Sequence, residues 1–85
     1  MKRTVIKVID GDTFVVNRKI GNTNFVRLAG VNAPEKYQFG GQQATNKLKG
    51  LIGGKPVTIV PVGSSYGRVV ANVRLHGKSI NKRLR

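Results

Sequence analysis

Acidic residues are scarce in this chain of 85 residues, which has only Asp10, Asp12 and Glu35. A globular chain of this length carries roughly ten carboxylates for solubility and ion pairing. All three acids fall within two short motifs, residues 9–13 (IDGDT) and 31–35 (VNAPE). This restriction indicates a purpose other than solubility, and our first hypothesis is a metal site in a phosphate-binding field.

Cysteine and long apolar runs are also missing, and each absence excludes a class of protein. Without Cys there are no disulfides, thiolate zinc sites or Cys nucleophiles, so any metal must be a hard ion held by oxygen. No apolar run approaches the roughly 18 residues of a membrane helix. Residues 1–3 (MKR) lead into an alternating pattern instead of the apolar core of a signal peptide. A soluble protein is therefore predicted, and its compartment stays open.

Positive charge is abundant and is distributed along the chain. Sixteen Lys and Arg against three acids give a formal net charge of +13. Nucleic acid is the commonest partner of such a protein, because each phosphate that Lys or Arg neutralises releases counterions and adds affinity. A ribosomal-type or membrane-surface cationic protein is the alternative. At this length one domain with a small core is expected.

The apolar pattern alternates mostly with a period of two, which predicts β-strands. Residues 10–12 (DGD) predict a tight turn between the first two strands, and Ser79 is suited to cap a short terminal helix through Leu84. Phe14 and Phe25 are predicted core residues. The predicted strands are residues 4–9, 13–19, 24–29, 57–60 and 68–75, with a turn-rich stretch at 63–67 and one helix at 42–52.

Five strands with a helix between the third and the fourth are the element order of an OB barrel. We therefore predict a mainly β (α+β) fold, a five-stranded OB-fold β-barrel that occupies residues 1–85 as a single domain. Such barrels often hold nucleic acid across one face.

Several motifs carry a resemblance to a known family. They occur in the order 8–13 (VIDGDT), 26–28 (VRL), 30–35 (GVNAPE), 66–68 (YGR) and 77–81 (GKSIN). On these segments the chain resembles the staphylococcal nuclease (thermonuclease) family of OB-fold endonucleases. The resemblance implies a calcium-dependent, nonspecific endonuclease that hydrolyses the phosphodiester bonds of DNA, RNA or both and leaves a 3′-phosphate end.

The resemblance also implies a role for each matching residue. The metal ligands would be the Asp12 and Asn32 side chains with the Ala33 backbone carbonyl, Glu35 the general base, Arg27 and Arg68 the transition-state clamp, and Tyr66 a neighbour of the bound phosphate. These residue types suit the chemistry. A carboxylate can activate water, and a guanidinium offers a planar fork of donors that matches phosphate oxygens.

Each assignment has a simpler interpretation. Asp10 and Gly11 are also typical of a plain hairpin turn, although a second carboxylate at Asp12 repels the first unless a cation compensates. Glu35 is equally an ordinary loop residue, and Arg68 is one surface cation among sixteen. The alternative function is a non-catalytic OB-fold module that binds single strands, with exposed aromatic residues as stacking platforms. Its candidate platforms are Tyr37, Phe39 and Tyr66.

Two departures from the family pattern affect what is expected. Asn32 stands where the family usually has an aspartate, which removes one negative charge and predicts weaker calcium binding. The family's best-known enzyme continues through further C-terminal helices, which the resemblance places after Arg85. We therefore expect a barrel that lacks these helices.

Overall fold

Five long β-strands form the framework of the structure, a computed structural model that describes residues 1–85. In chain order the elements are β1 (Lys2–Asp10), β2 (Thr13–Ile20), β3 (Thr23–Leu28), α1 (Gly41–Ile52), β4 (Pro56–Ser65), β5 (Arg68–Leu75), β6 (Lys78–Ser79) and α2 (Ile80–Leu84). The sheet order is β3-β2-β1-β4-β5-β6, and β3 also pairs with β5 in parallel, which closes the barrel. The predicted five-stranded OB-fold barrel is confirmed.

Alternation along the strands fills the barrel, because successive side chains point to opposite faces. In β5, Val69, Ala71 and Val73 are buried, and in β3, Val26 and Leu28 are fully buried. Sixteen buried apolar residues form one cluster. In β3 and β5, the residues that alternate with these buried ones lie on the outer face of the barrel. Their side chains are therefore available to a functional site.

The two helices are placed as the sequence predicts. Helix α1 buries Leu48 and Ile52 and packs against β1. At the start of α2, the Ser79 hydroxyl oxygen accepts a hydrogen bond from the Lys82 N–H at 3.1 Å, which is the predicted cap. Neither helix has the length and apolar character needed to cross a membrane.

Two predictions about the strands are wrong in detail. The fourth strand continues well past Val60, because a bulge between Pro61 and Gly63 absorbs the break in pairing and the strand runs on to Ser65. The turn-rich stretch at 63–67 is thus reduced to a hairpin turn at residues 66–67. A fourth strand reversal, at residues 76–77, adds the two-residue β6.

Phe25 is not a core residue, in contrast to its predicted partner. Phe14 is fully buried, whereas Phe25 is 43% exposed. The physical reason is strand parity: Val26 points into the barrel, so its neighbour Phe25 must point outward. An aromatic residue is thereby left on the barrel surface.

Candidate functional site

The three acids and two arginines of the sequence motifs meet in one polar cleft of about 240 Å³. The structure brings together all the predicted site residues except Tyr66. The cleft is lined by Asp10, Asp12, Arg27, Asn32, Ala33, Glu35 and Arg68. The chain therefore concentrates its whole negative charge at one point of a strongly cationic surface.

Asp12 is held in the cleft by hydrogen bonds from both sides. It is 7% exposed. Its Oδ1 accepts a hydrogen bond from the Thr13 hydroxyl at 2.8 Å, and its Oδ2 accepts one from the Ala33 N–H at 3.2 Å. Its backbone carbonyl accepts from the Leu28 N–H at 2.8 Å. These bonds join the turn after β1 to the end of β3 and to the following loop.

Arg27 lies at the centre of a second set of contacts. One guanidinium nitrogen, Nη1, donates to the Leu28 carbonyl oxygen at 2.9 Å, and Nη2 donates to the Asn32 Oδ1 at 2.9 Å. The same Nη2 lies 3.4 Å from the Asp12 Oδ2 in an ion pair. Arg27 is therefore oriented with donors at the cleft wall, as its outward position in β3 predicts.

Arg68 reaches the cleft from the first position of β5. Its Nη1 donates to the Thr13 hydroxyl oxygen and its Nε to the Ser65 carbonyl oxygen, each at 3.4 Å. Both bonds are long, so the guanidinium keeps most of its donor capacity for a ligand. Thr13 links Arg68 to Asp12, a role that the sequence analysis missed although the residue directly follows Asp12.

Asp10 is a further cleft residue that the sequence analysis left outside the metal site. Its Oδ1 accepts from the Asp12 N–H at 3.1 Å. Burial, followed by the neighbouring Asp12, raises the pKa of the Asp10 carboxyl above its ordinary value. The DGD spacing hints at this, because it brings a second carboxylate next to Asp12, but it does not show that Asp10 lines the cleft.

Glu35 lies exposed at the rim of the cleft. Its backbone N–H donates to the Gln38 Oε1 at 2.8 Å and its carbonyl oxygen accepts from the Gln38 N–H at 2.9 Å. Gly41 is packed so closely here that an added Cβ would overlap the Glu35 carbonyl oxygen. The Glu35 backbone is thus fixed while its carboxylate makes no hydrogen bond within the chain.

The three aromatic residues that are candidate stacking platforms lie outside the cleft. They differ in whether they line a neighbouring depression. Tyr37 lines a shallow depression that shares Asp10 and Glu35 with the cleft. Tyr66 lines a larger groove that shares Arg68 with it. Phe39 is fully exposed and lines none of the cavities. The predicted position of Tyr66 near a bound phosphate stays a prediction.

Oxygen atoms are the only donors that this cleft offers to a cation. The carboxylates of Asp10, Asp12 and Glu35 and the Asn32 amide line the cleft, but no group of three acidic, His or Cys residues is close enough together to form a metal cluster. Ala33 contacts Asp12 through its N–H, whereas its predicted ligand atom is its carbonyl oxygen. Oxygen donors of this kind suit a hard ion.

The fold and the cleft together define a class: an OB-fold barrel whose outer face carries a cleft lined by carboxylates and guanidinium groups. The family model for the staphylococcal nuclease homologue matches residues 25–85. The chain belongs to this family. Asp10 and Asp12 precede the matched segment. Their position in the cleft is therefore supported by the structure of the barrel and not by the family match.

Individual relatives carry endonuclease names. An Escherichia coli protein named an uncharacterized endonuclease is 39% identical over 72 residues, which are 81% of this chain and 45% of that protein. A Haemophilus influenzae protein with the same name is 37% identical over 78 residues, 91% of this chain and 44% of that protein. The probable endonuclease LCL3 of Clavispora lusitaniae is 40% identical over 60 residues, 62% of this chain and 26% of that protein. The chain spans less than half the length of these relatives.

Proposed function

We propose that this chain is a nuclease domain: a calcium-dependent endonuclease barrel that hydrolyses phosphodiester bonds of DNA, RNA or both with little sequence preference. The observation that carries the proposal is the convergence of all three acids with two arginines in one cleft of a chain whose net charge is +13. Carboxylates that face an anionic ligand repel it, so a protein that only binds nucleic acid gains nothing from them. They are useful where a cation or an attacking water must be held.

Arg27 and Arg68 would bind the phosphate and stabilise its transition state. They approach the cleft from neighbouring strands, β3 and β5, which pair in parallel. Guanidinium groups stay charged at any working pH and can bind two phosphoryl oxygens at once. Negative charge that builds on these oxygens during attack would be met by donors already in place.

Glu35 would act as the general base. Its carboxylate is exposed at the rim and free of internal hydrogen bonds, so it can accept a proton from a water molecule that attacks the phosphorus atom. The fixed backbone of Glu35 limits how far the carboxylate can move. An amide at this position would keep the shape of the side chain and lose the basicity.

Asp12, Asn32 and the Ala33 carbonyl would hold the calcium ion, and we add Asp10 to this proposed set because it lines the same cleft. The residues fit a hard cation, because a positive ion beside both aspartates would offset the burial and the repulsion from Asp12 that raise the pKa of Asp10. When bound, the ion would supply Lewis-acid stabilisation of the phosphoryl oxygens. The Asn32 oxygen would have to be shared with Arg27, to which it is hydrogen-bonded.

A non-catalytic binding module is the second candidate, and one contact favours it. Arg27 pairs with Asp12 and with Asn32 in the same cleft, so the cationic and acidic groups partly neutralise each other without a metal ion. Such a surface could bind phosphate through Arg68 and the surrounding lysines alone. Cleavage separates the two candidates.

The test is a cleavage assay on end-labelled single-stranded DNA, duplex DNA and RNA, each with calcium or with a chelator. The proposal expects calcium-dependent cutting that Arg68→Ala reduces by about a hundredfold or more, the effect of removing a transition-state donor. Arg18→Ala, which removes an exposed arginine of β2, is the matched control and should cut at the parental rate. Binding without cutting on every substrate would favour the binding module.

A further inference from the structure

The largest cavity of the protein lies beside the cleft and is joined to it by Arg68. It is an open groove of about 690 Å³, whereas each of the other depressions measures about 240 Å³ or less. One wall is the turn between β2 and β3, and the other is the hairpin between β4 and β5. A molecule bound at Arg68 can therefore extend directly into this groove.

Phe25 provides an aromatic surface in the groove. It lies on the outer face of β3, two residues before Arg27 and on the same side. In the parallel pairing of β3 with β5, Val26 lies opposite Val69, so the preceding residues Phe25 and Arg68 are neighbours on the outer face. The exposed ring thus belongs to a residue beside Arg68, which the groove shares with the cleft.

Tyr66 stands on the opposite wall in an unfavourable backbone conformation. Its φ is +51°, with Gly67 at +75°, the left-handed pair that a tight hairpin turn requires. A bulky residue rarely adopts this conformation. Tyr66 is 95% exposed and contributes nothing to the core. His76 and Gly77 adopt nearly the same pair of angles in the next hairpin, so the turn accounts for the backbone of Tyr66, and what matters for the groove is the exposed ring at its wall.

The charge of the groove also suits a nucleic acid. None of the three acids lines it, and its one charged residue is Arg68. The groove is otherwise made of apolar, hydroxyl and amide side chains. This composition, next to a phosphate-binding arginine, matches a nucleobase attached to a bound sugar-phosphate chain.

We propose that this groove is a base-binding subsite, in which an unstacked base next to the bound phosphate stacks on Phe25. The inference rests on the proposed function, because it takes the phosphate at Arg68 as its starting point. A base can stack on a protein ring only when its own face is free. The subsite therefore selects single-stranded DNA or RNA, or locally opened duplex, over intact duplex.

The test compares two ligands that carry the same phosphates and differ in their bases. Binding of a fluorescent oligothymidylate and of an abasic strand of equal length is measured in calcium, in a Glu35→Gln background that leaves both strands intact. Phe25→Leu keeps an apolar side chain and removes the ring, so it perturbs the barrel little. Phe39→Leu makes the same change at an exposed ring outside every cavity, and Phe25→Tyr restores a stacking surface.

The expected result is that Phe25→Leu weakens oligothymidylate binding about tenfold, the effect of losing one stacked base, and leaves abasic binding unchanged. Phe39→Leu and Phe25→Tyr should both bind like the Glu35→Gln background. Equal binding of the two ligands by that background would overturn the subsite, as would an equal loss of both ligands in Phe25→Leu. Absence of cleavage by the parent chain is a separate result, which contradicts the nuclease and leaves the base measurement valid.

Discussion

Asn32 presents a neutral amide oxygen beside Asp10 and Asp12, so the proposed set of metal ligands has one negative charge fewer than three aspartates would supply. The Asn32 oxygen also accepts a hydrogen bond from Arg27 at 2.9 Å. In the proposed site, a calcium ion would therefore be attracted mainly by Asp10 and Asp12. The affinity of such a site depends on the charge of its ligands.

Asn32→Asp should raise calcium affinity about thirtyfold. A divalent ion and a unit charge about 4 Å apart gain about 2 kcal/mol in water, which corresponds to that factor. The measurement is isothermal titration with calcium. Asn22→Asp is the matched control, because it adds the same charge in the turn between β2 and β3. If both variants gained the same calcium affinity, the gain would come from the net charge of the protein and not from a ligand at position 32.

The chemistry of individual residues can be predicted from this sequence better than their surroundings can. The scarcity of acids pointed to Asp12 and Glu35 because a functional carboxylate stands out in a cationic chain. Asp10 was assigned only to the turn, since spacing alone does not show that its carboxyl group is partly buried in the cleft. Phe25 was predicted to be buried because hydrophobicity was weighed without strand parity.

The start of helix α1 controls the position of the Glu35 loop. At Gly41 the helix backbone approaches the Glu35 carbonyl so closely that no side chain fits. At Gly50, in the same helix, an added Cβ would meet nothing within 4 Å. The two glycines therefore serve different purposes, and the same substitution at each separates them.

Gly41→Ala should destabilise the protein by about 2 kcal/mol, the typical effect of overpacking, and reduce cleavage by displacing Glu35. Gly50→Ala should stabilise it by up to about 1 kcal/mol, because alanine is the better helix former. Urea unfolding gives the free energies, and the gel assay gives the rates. Equal stability and equal activity of the two variants would contradict this account of the Glu35 loop.

Helix α2 is held to the barrel by the buried side chain of Asn81. Its Oδ1 accepts from the Val73 N–H at 2.7 Å, and its Nδ2 donates to the carbonyl oxygens of Ala29 and Ala71 at 2.9 and 3.0 Å. Ala29 is the residue that follows β3, where the site loop begins. The helix thereby supports the loop that carries the cleft residues.

Asn81→Ala should lower the free energy of unfolding by about 3 kcal/mol, because several buried backbone groups lose their partner. Asn46→Ala is the control, because it removes an asparagine from the exposed side of α1. It should change the free energy of unfolding by no more than about 0.5 kcal/mol. Both values come from urea unfolding followed by circular dichroism. A small effect at Asn81 would mean that water replaces its side chain.

Among the elements, those with clear periodicity were predicted well. The helix and the strands lie where alternation and helical spacing indicate, and the Ser79 cap is present. The fourth strand was cut short because residues 61–63 (PVG) suggest a break. Pairing with β5 carries that strand through a bulge, and this long-range stabilisation leaves no local signal.

Taken as one body, the protein combines a small core with a net charge of +13. Its binding to nucleic acid should therefore depend strongly on salt. With about four phosphates held in the cleft and groove, affinity for a single strand should fall about fiftyfold between about 50 and 200 mM salt. Fluorescence anisotropy of the Glu35→Gln variant measures this slope. A binding constant that does not change with salt would contradict phosphate contact.

Whether the cleft is catalytic is tested by calcium-dependent cleavage of single-stranded DNA, measured for the parent chain and for Glu35→Gln. The carboxylate of Glu35 is exposed and makes no internal hydrogen bond, so the variant should fold and bind DNA as the parent does. We predict that its cleavage rate falls by at least about a hundredfold, since a general base contributes this much. A variant that binds and cuts as fast as the parent would show that the cleft is not the catalytic site.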